Sequence, residues 1–216
     1  MLIESASFEL PDKGLFLLQG PNGCGKTLLL NYLFQFKIAE NVDCVLIDQS
    51  SDRILKREGI ISNIAFSYDL SEQKKAEGML KELNLGHLTK HKPKHLSGGE
   101  KRIISLLRGL IKETKVCFVD EPTNDLDVNS IEMIISLLKQ KAEESLVIAV
   151  SHDDRLEGVG NGTITISEGK LKSDTVIIES DHSVWPEEVE NTKKQEYKSF
   201  IKNQFSYNLG FLFLVI

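Results

Sequence analysis

The chain has 216 residues, 41% hydrophobic and 27% charged, with a formal net charge of −6. That length supports one large α/β domain, or a domain with a subdomain, with no need of disulfide or metal staples. The acidic balance argues against nucleic acid as the main partner, since a phosphate backbone is bound by a basic face. Cys24, Cys44 and Cys117 are too widely spaced for a disulfide framework or a metal site, and fit a reducing cytoplasm. Met1-Leu2-Ile3-Glu4 does not read as a secretory leader.

In chain order, Leu2 to Leu10 partly alternates as a strand, Pro11-Asp12-Lys13-Gly14 is turn chemistry, and Leu15-Phe16-Leu17-Leu18 is a continuous apolar strand. Next comes Gly20-Pro21-Asn22-Gly23-Cys24-Gly25-Lys26-Thr27, then a helical run over 28–34. The pattern G-x-x-x-x-G-K-[ST] between a strand and a helix predicts a phosphate-binding loop. Its glycines let successive N–H groups converge on phosphate oxygens, and the helix N-terminus adds its positive end. In such a loop Lys26 reaches the β- and γ-phosphates and Thr27 offers its hydroxyl to Mg²⁺.

Further apolar runs at 42–47, 116–119 and 146–150 end in Asp48-Gln49, Asp120-Glu121 and Ser151-His152-Asp153. Continuous runs suit strands covered on both faces of a parallel sheet, whose carboxyl ends carry the ligand crevice. Residues 50–112 read as a helical insert. Leu70-Ser71-Glu72-Gln73 starts one helix, Gly86 stops it, Pro93 breaks the chain, and Ile103, Ile104, Leu107 and Leu110 mark another. A helix over 129–140 and a closing hairpin around 163–171 follow. The Asp120-Glu121 pair is what phosphoanhydride hydrolysis needs: one acid for Mg²⁺, one to activate water.

Taken together, the phosphate loop, Leu96-Ser97-Gly98-Gly99-Glu100, the stretch 116–127 with Asp120-Glu121-Pro122-Thr123-Asn124-Asp125-Leu126-Asp127, and Ser151-His152-Asp153 resemble the ATP-binding cassette (ABC) ATPases, over roughly residues 4–172. In that family these are the Walker A loop, signature motif, Walker B strand with D-loop, and switch-histidine loop; Gln49 looks like the Q-loop glutamine. The resemblance implies an α/β P-loop NTPase fold: a mostly parallel central sheet flanked by helices, a helical subdomain over 50–112, and a reduced antiparallel β-subdomain. It also implies ATP and Mg²⁺ as cofactors. Asn22, Gly23, Cys24, Gly25, Lys26, Thr27 and Leu28 would hold the nucleotide, with Ser97, Gly98 and Gly99 covering it from a second cassette. Thr27, Asp120 and Gln49 would serve the metal. Glu121 would be the general base, assisted by Gln49 and His152.

The chain also departs from the family pattern. Cys24 stands where Ser is common, Leu28 where a second hydroxyl is usual, and Lys101-Arg102 where Lys-Gln or Gln-Gln is usual. With 19 residues before Gly20 and 22 between Lys26 and Gln49, the adenine-stacking strand and the usual antiparallel hairpin are not expected. Of the nearby aromatics Phe8, Phe16 and Tyr32, core packing is the expected place. The cassette is expected over 1–180. Residues 181–216 form a polar linker and an apolar end over 205–216, behind Lys193, Lys194, Lys198 and Lys202. That arrangement fits the cytoplasmic side of a membrane, with 205–216 expected to begin a transmembrane helix; the alternative is a helix packing its apolar side on the cassette. The expected function is the ATPase subunit or domain of an ABC transporter, at the inner face of the cell membrane, with a permease as partner. The alternative is a soluble ABC ATPase acting on nucleic acid, ribosomes or assembly machinery.

Overall fold

The computed structural model describes residues 6–49, 54–67, 69–168, 170–173, 178–179 and 212–215. Its main sheet has six strands: β2 (Gly14–Gln19), β3 (Cys44–Ile47), β4 (Val116–Asp120), β5 (Leu146–Val150), β6 (Gly162–Ser167) and β7 (Lys170–Ser173). They lie in the order β3-β4-β5-β2-β6-β7. All neighbours are parallel except β6 and β7, which form the expected hairpin with Ile164 opposite Ser173. A separate small sheet places β1 (Ala6–Glu9) between β8 (Ile178–Glu179), antiparallel, and β9 (Leu212–Val215), parallel, so the described part of the apolar end is a strand beside β1 where a helix was expected. Among the described strands, antiparallel pairing is confined to β1–β8 and β6–β7. The linker over 181–211 lies outside the described residues.

Side-chain alternation along the buried strands explains the unbroken apolar runs. Phe16, Leu18, Val116, Phe118, Ile148 and Val150 meet Leu29, Leu30 and Leu33 of α1 (Lys26–Ala39) on one face. Leu15, Leu17, Cys117, Val119, Val147 and Ala149 face the opposite core, with α4 (Gly98–Leu110) and α5 (Val128–Ala142). A strand buried on both sides has no position to spare for a polar residue, so periodicity two disappears. Phe16 and Tyr32 sit in the α1-side core, 3% and 9% exposed, so neither is available to stack on a base. The Phe8 side chain lies outside the described residues.

The insert between β3 and β4 is helical, as its sequence predicts: α2 (Ile60–Ala65), α3 (Leu70–Glu82), two 3-10 turns at Gly86–Lys90 and Pro93–His95, then α4. The end of α3 differs from the expectation. Its stop is Asn84, at φ 57°, rather than Gly86. The Asn84 N–H bonds the Lys81 carbonyl and the Leu85 N–H the Leu80 carbonyl, a Schellman closure in which asparagine takes the left-handed position. Asp69 caps the other end by accepting from the Ser71 N–H.

Inside α4, Gly109 lets the helix lie flush on β3, for a Cβ there would overlap Cγ1 and Cδ1 of buried Ile47. Gly109→Ala is therefore expected to destabilise the fold. Overpacking of about 1–3 kcal/mol outweighs the ~1 kcal/mol that alanine gains in helix propensity. A denaturant midpoint at or above wild type would refute the close approach.

Candidate functional site

Hydrogen bonds join the polar clusters at the carboxyl ends of β2, β4 and β5. The loop after β2 turns on three glycines with positive φ: Gly20 (146°), Gly23 (77°) and Gly25 (100°). At Gly20 the reason is also spatial, since a Cβ would stand 2.6 Å from the Ile166 carbonyl oxygen and 2.9 Å from Cys24 Sγ. Around Gly23 and Gly25 the space is open, which leaves their backbone approachable by a ligand. Cys24 is buried beneath the loop, and Leu28 is half-buried on the first turn of α1. Lys26 is 6% exposed, and its Nζ donates to the Gly20 and Pro21 carbonyls at 2.8 and 3.1 Å, folding the amine into the loop it would share with phosphate.

Thr27 Oγ1 donates to Asp120 Oδ1 at 3.2 Å, across 93 positions of sequence. Burial pushes the Asp120 carboxyl up, while the Thr27 hydroxyl and the nearby Arg102 charge pull it down. The adjacent Glu121 is 3% exposed and holds a left-handed backbone at φ 48°. For a residue with a Cβ this conformation costs about 1–2 kcal/mol, so its surroundings must hold it. Its N–H donates to the Val150 carbonyl at 2.9 Å. The Glu121 carboxylate accepts from the His152 N–H (Oε2, 3.3 Å) and lies 3.2 Å from His152 Nε2 (Oε1). Burial raises the Glu121 carboxyl, and His152 is the first group to oppose it. His152 itself is half-exposed, while the Glu121 side chain it meets is buried.

The signature residues stand at the start of α4. Ser97 Oγ accepts from the Glu100 N–H while Glu100 Oε2 accepts from the Ser97 N–H at 2.7 Å, a reciprocal capping box. The bond from the Ser97 backbone holds the Glu100 carboxyl below its ordinary range. Gly98 is exposed, and a Cβ on Gly99 would stand 3.2 Å from the Asp125 carbonyl, so this helix start rests on the D-loop. Among the described residues no hydrogen bond joins Ser97, Gly98 or Gly99 to the phosphate loop of the same chain. Gln49 is exposed at the end of β3, and the four residues after it lie outside those described.

Four buried side chains to which the sequence assigned no role in the site help to build it. Arg102 is 2% exposed and reaches backbone at the ends of β3 and β4. Thr123 and Ser151, both buried, meet at 3.4 Å, and Ser151 Oγ accepts from the Asp153 N–H, tying the Walker B exit to the histidine loop. Asn63, fully buried, fastens the loop before α2 through Leu55, Glu58 and Gly59, and Arg108 of α4 donates to it. Buried polar groups of this kind are legible only through their partners.

A parallel sheet with a phosphate loop at its first buried strand and paired carboxylates two strands away defines a P-loop nucleotide-binding protein. The comparisons with known proteins narrow this. The family model described as ABC transporter matches residues 3–124. An ABC transporter ATP-binding protein of Brucella suis biovar 1 is 31% identical over 214 residues, covering 87% of this chain and 87% of its own length. A Mycoplasma pneumoniae ABC transporter ATP-binding protein is 28% identical over 204 residues; the alignment takes in 82% of this chain and 60% of that protein. The macrolide export ATP-binding/permease protein MacB of Aggregatibacter actinomycetemcomitans is 27% identical over 233 residues, 93% of this chain but 33% of its own length. In fold, the chain is similar to a bacterial ABC transporter cassette solved as a dimer, with TM-score 0.63 at 20% identity, covering 81% of this chain and 88% of that one. The chain belongs to the ABC transporter family, as an ATP-binding ATPase cassette.

Proposed function

We propose that this chain binds Mg²⁺-ATP between its own phosphate loop and the signature loop of a second cassette, hydrolyses it with Glu121 as base, and so drives a membrane permease. The observation that carries the reading is the meeting of Thr27 with Asp120 at 3.2 Å, with Glu121 next along the chain and paired to His152. That contact brings the end of the phosphate loop, the acid pair and the histidine loop to one crevice.

The residues fit the metal that the family implies. Thr27 and Asp120 offer a hydroxyl and a carboxylate, the oxygen donors Mg²⁺ takes when phosphates and water complete its shell. Among the described residues no group of three or more His, Cys, Asp or Glu forms a cage for a metal on its own. Bound there, Mg²⁺ would neutralise charge on the phosphates; Gln49 is the further candidate to contact it. Glu121 takes the proton of the attacking water, and its raised carboxyl strengthens it as a base. His152 orients that carboxylate and stands ready to contact the γ-phosphate. Lys26 exchanges its two carbonyl partners for phosphate oxygens.

The signature loop argues for two copies or two related cassettes. Ser97, Gly98 and Gly99 present a helix N-terminus and exposed backbone, the chemistry that stabilises an anion, yet among the described residues no hydrogen bond ties them to their own phosphate loop. A partner's nucleotide would satisfy them. Two solved relatives of this fold are dimers, and one of them is described in a post-hydrolysis state with ADP and Pi. The MacB relative carries cassette and permease in one chain, which supports a permease partner here and a place at the inner membrane face. No helix among the described residues is long and apolar enough to cross a membrane. The division into a cassette over 1–180 and a further segment over 181–216 belongs to the same proposal, with Leu212–Val215 of that segment paired to β1 of the cassette.

Gly98→Asp tests the two-cassette site. The substitution puts a carboxylate where the partner's phosphates would lie, in space that is open in the single chain. Nucleotide affinity of the isolated chain is expected to stay within about twofold, while hydrolysis falls about 100-fold or more, the scale of losing anion stabilisation in a transition state. ATP-dependent dimerisation in light scattering should disappear with it. Full turnover by this variant would show that the signature loop does not cover a nucleotide.

A further inference from the structure

We propose that Arg102 is a positioning residue for hydrolysis: a buried guanidinium brace that ties the signature helix to the two strand ends that present Gln49, Asp120 and Glu121. The inference rests on the ATPase reading above and adds a residue that the reading does not use.

Arg102 lies on α4, five positions beyond Ser97, and is among the largest fully buried side chains of the protein. Its Nη1 donates to the Asp48 carbonyl at 2.5 Å, and its Nη2 donates to the carbonyls of Asp120 and Glu121, both at 2.8 Å. One side chain thus grips backbone at the carboxyl ends of β3 and β4. Asp48 precedes Gln49, while Asp120 and Glu121 are the acid pair itself. Burial lowers the affinity of Arg102 for its proton, and Asp48, Asp120, Asp125 and Glu121 oppose that. Its Nε has no hydrogen-bond partner among the described residues. A charge held under such conditions is a poor device for stability, because a well-packed apolar side chain of like volume often serves as well.

The geometry accounts for its presence differently. Glu121 stands in a left-handed conformation that needs support on both sides of the residue. Its N–H is taken by the Val150 carbonyl, and its own carbonyl accepts from Arg102 and from the Asn124 N–H at 3.3 Å. Arg102 is therefore the side-chain anchor of the strained residue that aims the base. Because it grows from the helix that begins with Ser97, it also sets how far the signature loop stands from that base. Only a planar fork with several donors meets carbonyls on two strands at once; lysine brings the charge without the fork, and glutamine has neither the charge nor the reach.

Arg102→Met, Arg102→Gln and Arg102→Lys, compared with wild type, test the brace. For Arg102→Met, kcat for ATP is expected to fall about 10–100-fold with KM within about twofold, the signature of a misplaced group rather than a lost binding contact. Arg102→Lys should recover part of that loss and Arg102→Gln less. Hydrogen exchange adds an arm that needs no turnover: the amides over 47–49 and those of Val119, Asp120, Glu121 and Thr123 should exchange about tenfold faster in Arg102→Met, while those of β5 stay protected. Unchanged kcat in Arg102→Met would overturn the proposal. So would a general rise in exchange with a lower melting temperature and normal kcat per folded molecule, since both mark a packing group only. Should the wild-type chain itself fail to hydrolyse ATP, the ATPase reading falls. The exchange arm then still decides the brace: unchanged local exchange overturns it, and a local rise confined to 47–49 and 119–123 upholds it.

Discussion

Glu121→Gln is expected to lose nearly all ATP hydrolysis while keeping ATP binding. The amide fills the same space and can still accept from the His152 N–H, which reaches Glu121 Oε2 at 3.3 Å in the native chain. It cannot take a proton from water. General-base catalysis contributes about 10²–10⁴-fold, and that is the expected loss in phosphate release. Stability should not suffer, because burial already disfavours the Glu121 charge and the substitution removes it. A fluorescent-nucleotide titration should give an affinity within about twofold of wild type, since Glu121 sits outside the phosphate loop. The trapped ATP state should also favour the dimer, visible as a larger species in light scattering. Turnover at the wild-type rate would remove Glu121 from the role of base.

Lys26→Met is expected to act on the other quantity. Lys26 Nζ holds the Gly20 and Pro21 carbonyls and is nearly fully buried, so its loss removes the loop's internal clasp and its charge for phosphate together. Hydrogen bonds to a charged group contribute about 1.5–3 kcal/mol, which corresponds to roughly 10–100-fold in affinity. Nucleotide titration should show that weakening, and hydrolysis should fall with it at fixed ATP. Methionine keeps the buried stem in place but leaves the Gly20 and Pro21 carbonyls without their donor, so the melting temperature without nucleotide should fall modestly. Binding as tight as wild type would mean that the loop over 20–27 does not carry the triphosphate. The two variants separate the site's tasks: one holds the nucleotide, the other cleaves it.

Local chemistry made much of the fold readable. Glycines at 20, 23 and 25 are needed because all three backbones have positive φ, a demand visible in the residue type itself. The apolar runs of β2, β4 and β5 announced a sheet covered on both faces, and the two cores that share those strands by alternate side chains bear this out. The stop of α3 was less legible. Gly86 is the stronger letter for a helix end, but the chain turned two residues earlier at Asn84, because the Schellman bonds to Lys81 and Leu80 were already in place there.

The residues alone thus specified a phosphate loop, the order of its companion motifs and a parallel sheet, since each rests on backbone demands or periodicities within a few positions. Which side chains meet was settled by packing. Thr27 touches Asp120 across 93 positions, His152 touches Glu121 across 31, and Arg102 reaches Asp48 across 54. The reach of Arg102 depends on how closely α4 lies on β3, which Gly109 against Ile47 allows. A spacing in sequence carries no record of that distance. The identities of the loop and the acid pair could be read along the chain, but the brace that holds them in register exists only where the helix and the strands come together.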